Sequence, residues 1–247
     1  VGTVVVKESN WYQFLPPIDA QKALEMVYAV SEKLRTCGVL LPKAFTQING
    51  LFVYSDNNTF FVLQEHLQGE PFSHTNVQIE FLGKTLAQFH KVGKELLMQE
   101  SDLLSRIVRT VQTEKSYEDS RSLYETIIHP ALLSDHNCLL SEVCSSVKAD
   151  IDFIEMCMAR VDEANLTSFQ FTQTILHNDL NTRNILFSED LSFGKVIDVD
   201  QLGVGSCVLD IANTLNSFMW KFAEENPTCI EEKTMLYLRG YHSVNPL

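Results

Sequence analysis

Residues 174–187 read TILHNDLNTRNILF, and after a short gap residues 194–203 read GKVIDVDQLG. The first stretch sets His177, Asp179, Arg183 and Asn184 between two aliphatic runs, and the second ends an apolar run on Asp198 and Asp200. Short aliphatic and β-branched runs of this kind read as buried strands. A carboxylate or amide set against such a run loses its water unless it is paired or hydrogen-bonded. Polar groups wedged there point to a site with chemistry to perform.

The rest of the chain divides into two kinds of pattern. TVVVK, residues 3–7, is a β-branched run ending on Lys7 and reads as a strand. IDAQKALEMVYAVSEKLRTCG, residues 18–38, repeats Ala23, Met26, Val27, Val30 and Leu34 at helical spacing, with Asp19 as N-cap and Gly38 as stop. LFVYS and TFFVLQEHL, joined by the turn formers DNN, read as a hairpin. From Asn76 the pattern turns helical: Val77, Phe81, Leu82, Leu86 and Phe89 form one stripe, expected to end near Gly93. Residues 95–170 read as further helices without repeats or low-complexity tracts, β-type runs return around the opening stretch, and VLDIANTLNSFMWKFAEE is helical again. LQGEPFSHT, residues 67–75, reads as a connector, so residues 1–68 are expected to form a small mixed α/β lobe and residues 69–247 a large, mainly helical one, an α+β chain.

Composition narrows the class. With 247 residues the chain can bury a substantial core, and 45% hydrophobic with 21% charged residues is the balance of a soluble globular protein. No apolar run reaches membrane-spanning length, and VGTVVVKESN lacks the basic flank and cleavage site of a signal peptide, so a cytoplasmic location is expected. The six cysteines form no C-x-x-C pair and have no histidine at zinc spacing, which reads as ordinary buried thiols. A net charge of -13 argues against nucleic acid as a partner. It is compatible with a cationic small molecule, although acidity that serves solubility alone is the stronger reading.

Lys7 at a strand end, Glu25 in the next helix, His177-x-Asp179, Asn184 and Asp198 are the parts that phosphoryl transfer from a nucleotide requires. A strand lysine steadied by a helix carboxylate neutralises phosphate charge. Asn184 and Asp198 are hard oxygen donors suited to magnesium, and Asp179, on the same loop as Asn184, could accept or orient the proton of an attacking hydroxyl. Each residue alone has an ordinary explanation, such as a solvated lysine or a turn-forming asparagine. The combined spacing is what singles them out.

LHNDLNTRNILF with VIDVDQLGVGSCVLDIANTL resembles the catalytic segment of the aminoglycoside phosphotransferase and choline kinase family, small-molecule kinases with a protein-kinase-like two-lobe fold. The resemblance implies ATP and Mg2+ as cofactors, Asp179 as catalytic base, Asn184 and Asp198 as metal ligands, and Asp210 of LDIANTL, with His177, as support for the loop. FVLQEHLQGEPF resembles the family's interlobe hinge, which would bring backbone groups around Gln64, Glu65, His66 and Leu67 to the adenine. ANTLNSFMW with YLRGYHSVNPL resembles the homoserine kinase-like branch. Asp200 lies two residues past Asp198, on the same strand face by the two-residue period. A second magnesium, a substrate amine or hydroxyl, and a turn cap are all open to it.

One departure from the family stands out. Only six residues precede Lys7 and no glycine-rich segment lies among them, so either the chain is a fragment lacking the phosphate-covering loop or the lysine strand is misassigned. A protein kinase is disfavoured because eleven residues between Asp198 and Asp210 leave no room for a peptide-docking segment. A non-catalytic, kinase-like binding scaffold is the remaining alternative. The leading expectation is a kinase acting on the hydroxyl of an amino alcohol, amino acid, sugar or aminoglycoside, with Glu118, Asp119 and Glu125 available to a cationic acceptor.

Overall fold

The computed structural model describes residues 3–9, 17–100, 110–111, 121–122, 125–126, 155–160, 172–188, 193–225 and 229–246. The chain groups into two compact units, one made of Val1–Thr110 with Thr172–Leu247 and the other of Val111–Phe171. Most of the second unit, including Glu118, Asp119, Cys138 and Cys144, lies outside the described residues. Within it, exposed Glu125 accepts a hydrogen bond from Arg121 Nε at 2.8 Å.

The first unit opens with β1 (Val4–Ser9), α1 (Pro17–Thr36), β2 (Ala44–Phe45), β3 (Val53–Asp56) and β4 (Thr59–Glu65). Strand β4 is the centre of the sheet and pairs antiparallel with the other three, setting Lys7 of β1 opposite Val62. Asn57 and Asn58 both take positive φ, 47° and 64°, which asparagine tolerates and which a tight two-residue hairpin turn demands. Alternation along β4 sends Phe60, Val62 and Gln64 inward, where Phe60 and Val62 join Ala20, Ala23, Leu24, Val27, Val30 and Leu34 of α1 in the core. Helix α1 begins two residues before Asp19, so that residue sits in the first turn instead of capping it.

Helix α2 (Asn76–Gln99) is capped by Thr75, whose side chain accepts from the Gln78 amide at 3.3 Å. It does not stop at Gly93. That glycine faces β6 (Gln173–Leu176): a Cβ there would stand 2.8 Å from Thr174 Oγ1, so its smallness serves close packing of helix on strand, not termination. A two-residue strand, β5 (Thr110–Val111), precedes β6, and β7 (Ile185–Leu186) with β8 (Lys195–Val196) forms the short hairpin after it. Strand β9 (Gly203–Ser206) pairs antiparallel with β6 and leads into α3 (Cys207–Glu225) and α4 (Cys229–His242).

Helices α2 and α4 cross at two glycines. A Cβ on Gly83 would lie 2.1 Å from the Tyr237 carbonyl oxygen, and one on Gly240 would lie 2.0 Å from that of Glu80. This contact seats Tyr237 and Tyr241 in the core beside Ile79, Leu82 and Leu86. Among the described residues no helix is long and apolar enough to cross a membrane. All four described cysteines are free, but only Cys207 is buried: Cys37 is exposed, and Cys157 and Cys229 are half-buried, so the expectation of buried thiols holds for one of them.

Candidate active site

The loop after β6 is shaped by its own side chains. Asn178 adopts a left-handed conformation, φ 64°, which turns the chain out of the strand. The Asn181 side chain then accepts from the Arg183 amide at 2.8 Å, closing an Asx turn, and donates to Asp179 Oδ1 at 2.9 Å. Asn184 Nδ2 donates to the Asp179 carbonyl at 2.8 Å and to its Oδ2 at 3.2 Å. Both Asp179 oxygens are therefore oriented by amides from the same loop. With its nitrogen engaged, Asn184 turns its carbonyl oxygen the other way.

A buried network fastens this loop to the helices. Asp210, 1% exposed on the first turn of α3, accepts from the backbone amides of His177 at 2.6 Å and Asn178 at 2.8 Å, and from His90 Nε2 at 3.1 Å. Burial alone would push the Asp210 carboxyl up, but the His90 hydrogen bond, the pull of the His90 and His177 imidazoles and the His177 amide outweigh it and hold the group below the usual carboxylate range. Tyr241 of α4 donates to His90 Nδ1 at 2.8 Å, so the chain of bonds runs from α4 through α2 to the loop. His177 is fully buried; its Nε2–H donates to the Ile197 carbonyl at 3.0 Å and its Nδ1 accepts from the Asp179 amide at 3.3 Å, which selects the neutral tautomer. Burial lowers its pKa, against the opposing pull of the Asp210, Asp179 and Asp198 carboxylates.

Ile197 is gripped from both sides, since its amide also donates to the Asn184 carbonyl at 3.0 Å. This grip fixes where Asp198 begins. The strand ends at Val196, Asp198 takes a left-handed conformation (φ 65°, ψ 59°), and Val199–Gln201 is a turn of 3-10 helix. Asp198 and Asp200 therefore do not share a strand face, as their spacing suggested; the left-handed residue breaks the two-residue period. Both nevertheless reach one cation. Lys7 Nζ lies 2.5 Å from Asp198 Oδ1 and 2.9 Å from Asp200 Oδ1.

Glu25 is not the partner of Lys7. Its two oxygens accept from the amides of Phe52 and Val53, each at 2.9 Å, satisfying the backbone where β3 begins. The α1 residue that reaches the lysine cluster is Tyr28, fully buried, which donates its hydroxyl to Asp200 Oδ1 at 2.5 Å. Tyr28 escaped the sequence reading. Its signal was a polar-tipped aromatic less than one turn beyond Glu25, on the side of the helix that also carries Leu24 and Ser31.

A cavity of about 760 Å3 is lined by Lys7, by Gln64, Glu65, His66 and Leu67 at the end of β4, and by Asn184 and Asp198. Lys7, the strand-end segment and two of the three loop-and-hairpin residues thus meet around one space, while Asp179 is tied to it through Asn184 and Asp200 stands behind Lys7. Among the described residues no group of three or more His, Cys, Asp or Glu forms a ready-made metal site. Mg2+ needs none, because it keeps several waters and binds through one or two carboxylates plus phosphate oxygens. The donor set fits: Asp198 and Asn184 offer hard oxygens at the cavity wall, and the Lys7 ammonium already stands against Asp198 as a positive charge.

An antiparallel sheet packed on a helix, a mainly helical remainder and a His-x-Asp loop facing a lysine strand are the arrangement of protein-kinase-like small-molecule kinases. The family model of the phosphotransferase enzyme family, APH, matches residues 4–247. The chain belongs to that family, and it is a small-molecule kinase. Among solved structures, an amicoumacin kinase, hAmiN, in complex with AMP-PNP, Ca2+ and Ami aligns with a TM-score of 0.65 at 15% identity, over 100% of this chain and 67% of that one. The aminoglycoside phosphotransferase from Alicyclobacillus acidocaldarius aligns with a TM-score of 0.67 at 12% identity, over 98% and 68%. A microcompartment-associated aminopropanol kinase aligns with a TM-score of 0.65 at 18% identity, over 100% and 70%. At these identities the likeness is one of fold. No curated protein matches the chain in sequence.

Proposed function

We propose that this kinase moves the γ-phosphoryl group of ATP onto a hydroxyl of a small polar metabolite: an amino alcohol, amino acid, sugar or aminoglycoside. Residues 1–68 bind the nucleotide, and residues 69–247 carry the catalytic loop and the acceptor site. Bound ATP supplies the phosphoryl group, and Mg2+ supplies charge neutralisation along the phosphates. Lys7 steadies the α and β phosphates, backbone groups from Gln64 to Leu67 meet the adenine, and Asn184 and Asp198 hold the metal. Asp179 receives the hydroxyl proton as the acceptor oxygen attacks phosphorus. Holding both its oxygens by Asn181 and Asn184 restricts the directions from which a hydroxyl can approach.

The observation that carries this reading is the single cavity around Lys7, the end of β4, Asn184 and Asp198. The net charge of -13 is compatible with an amine-bearing acceptor, and two of the fold relatives are an aminopropanol kinase and an aminoglycoside phosphotransferase. Screening ADP release against amino alcohols, amino acids, sugars and aminoglycosides tests the acceptor class. With the true acceptor, Asp179→Asn is expected to lower turnover by about 100-fold or more while nucleotide binding persists. Unchanged turnover would remove Asp179 from its role as base.

A further inference from the structure

Two carboxylates share the Lys7 ammonium, and their surroundings differ sharply. The side chain of Asp198 is 37% exposed and lines the cavity, whereas that of Asp200 is 1% exposed and does not. Among the described residues, Lys7 is the one cation paired with Asp200. A buried carboxylate stripped of its counter-charge is strongly disfavoured. Asp198 can exchange the ammonium for a divalent cation arriving in the cavity, but Asp200 cannot.

The orientation of Asp200 comes from α1. Tyr28 donates to the same oxygen, Oδ1, that meets Lys7, while Oδ2 is buried and has no hydrogen-bond partner among the described residues. The carboxylate is therefore aimed through one oxygen by two donors, and a phenol-to-carboxylate bond is of the strong, charge-assisted kind. Glu25, the residue of α1 placed by sequence to steady the lysine, faces the amides of Phe52 and Val53 instead.

We propose that Tyr28 and Asp200 form the anchor that holds Lys7 at the cavity wall for phosphate binding, so that Asp200 is a positioning residue and not a metal ligand. The inference rests on Lys7 as the phosphate-binding lysine of the proposed function. When metal and nucleotide occupy the cavity, Lys7 stays on Asp200 and releases Asp198. The helix contributes to nucleotide binding through a hydroxyl and an intervening carboxylate from the loop after β8.

Titration calorimetry with ATP and with adenosine, at several Mg2+ concentrations, tests this on Lys7→Met, Asp200→Asn, Tyr28→Phe and the double variants with Lys7→Met. Asp200→Asn is expected to weaken ATP binding about tenfold and Tyr28→Phe several-fold, the scale of one bond to a charged group, with adenosine binding unchanged. In the Lys7→Met background neither adds more than about twofold, because residues acting through one group are not additive. Full additional losses in that background would overturn the anchor, as would a Mg2+ midpoint shifted by Asp200→Asn but not by Lys7→Met. If Lys7→Met alone left ATP binding intact, the lysine assignment would fall and the anchor with it; if Lys7→Met weakened ATP while the other two did not, only the anchor would fall. Should Asp200→Asn not fold, Tyr28→Phe with and without Lys7→Met carries the same test.

Discussion

Replacing Asp210 by asparagine keeps size and shape and removes one charge. The wild-type carboxylate takes three hydrogen bonds: His177 N and His90 Nε2 on Oδ2, and Asn178 N on Oδ1. An asparagine can present its oxygen to one side only. If the oxygen keeps His177 and His90, the new amide nitrogen faces the Asn178 N–H, donor against donor, and leaving that half-buried amide unpaired costs about 1–3 kcal/mol. The two retained bonds lose their charge assistance, about 1 kcal/mol each. The sum is roughly 3–5 kcal/mol, a large share of the 5–15 kcal/mol typical of a whole domain. Equilibrium urea unfolding of wild type and Asp210→Asn at neutral pH measures it, read from midpoints at matched slopes. A loss below about 1 kcal/mol would mean that Asp210 does not brace the loop as its contacts imply.

Two further outcomes are expected. Burial places the folded-state pKa of His177 below its ordinary value of 6.5, so the unfolded chain takes up that proton first; the stability His177 contributes is complete above pH 6.5 and declines as pH falls below it. Between pH 7.5 and 5.5 this is bounded above by about 1.4 kcal/mol, and a His177→Gln variant should show a shallower pH profile; parallel profiles would contradict the assignment. Gly83→Ala places a methyl group 2.1 Å from the Tyr237 carbonyl and forces α2 and α4 apart. Overpacking of this kind costs about 1–3 kcal/mol, roughly 3–10 °C in Tm, and an unchanged melting temperature would show that the helices do not meet there.

The loop after β6 was legible because its shape depends on residues close together in sequence. Asp179, Asn181, Arg183 and Asn184 bond to one another within the same loop, and turn-forming side chains announce themselves. The β1–α1–hairpin order was legible from periodicity. What escaped was decided by partners far along the chain. Glu25 and Tyr28 are three residues apart, only about 60° apart around the helix, so periodicity cannot tell which of them meets Lys7 and which meets the start of β3. Gly93 looked like a stop because glycine often is one, yet Thr174 and Ile175 press against it from β6. His90, Tyr241 and Asp210 lie on three separate helices, and no local pattern joins them.

Tyr241 also accepts from Asn245 at 3.0 Å, so the line of bonds that ends on the His177 and Asn178 amides starts beyond the end of α4. Those two loop protons should therefore exchange with solvent only when α4 undocks, as slowly as protons in the helix itself. The loop after β6 would then open and close in one cooperative unit with the last helix described.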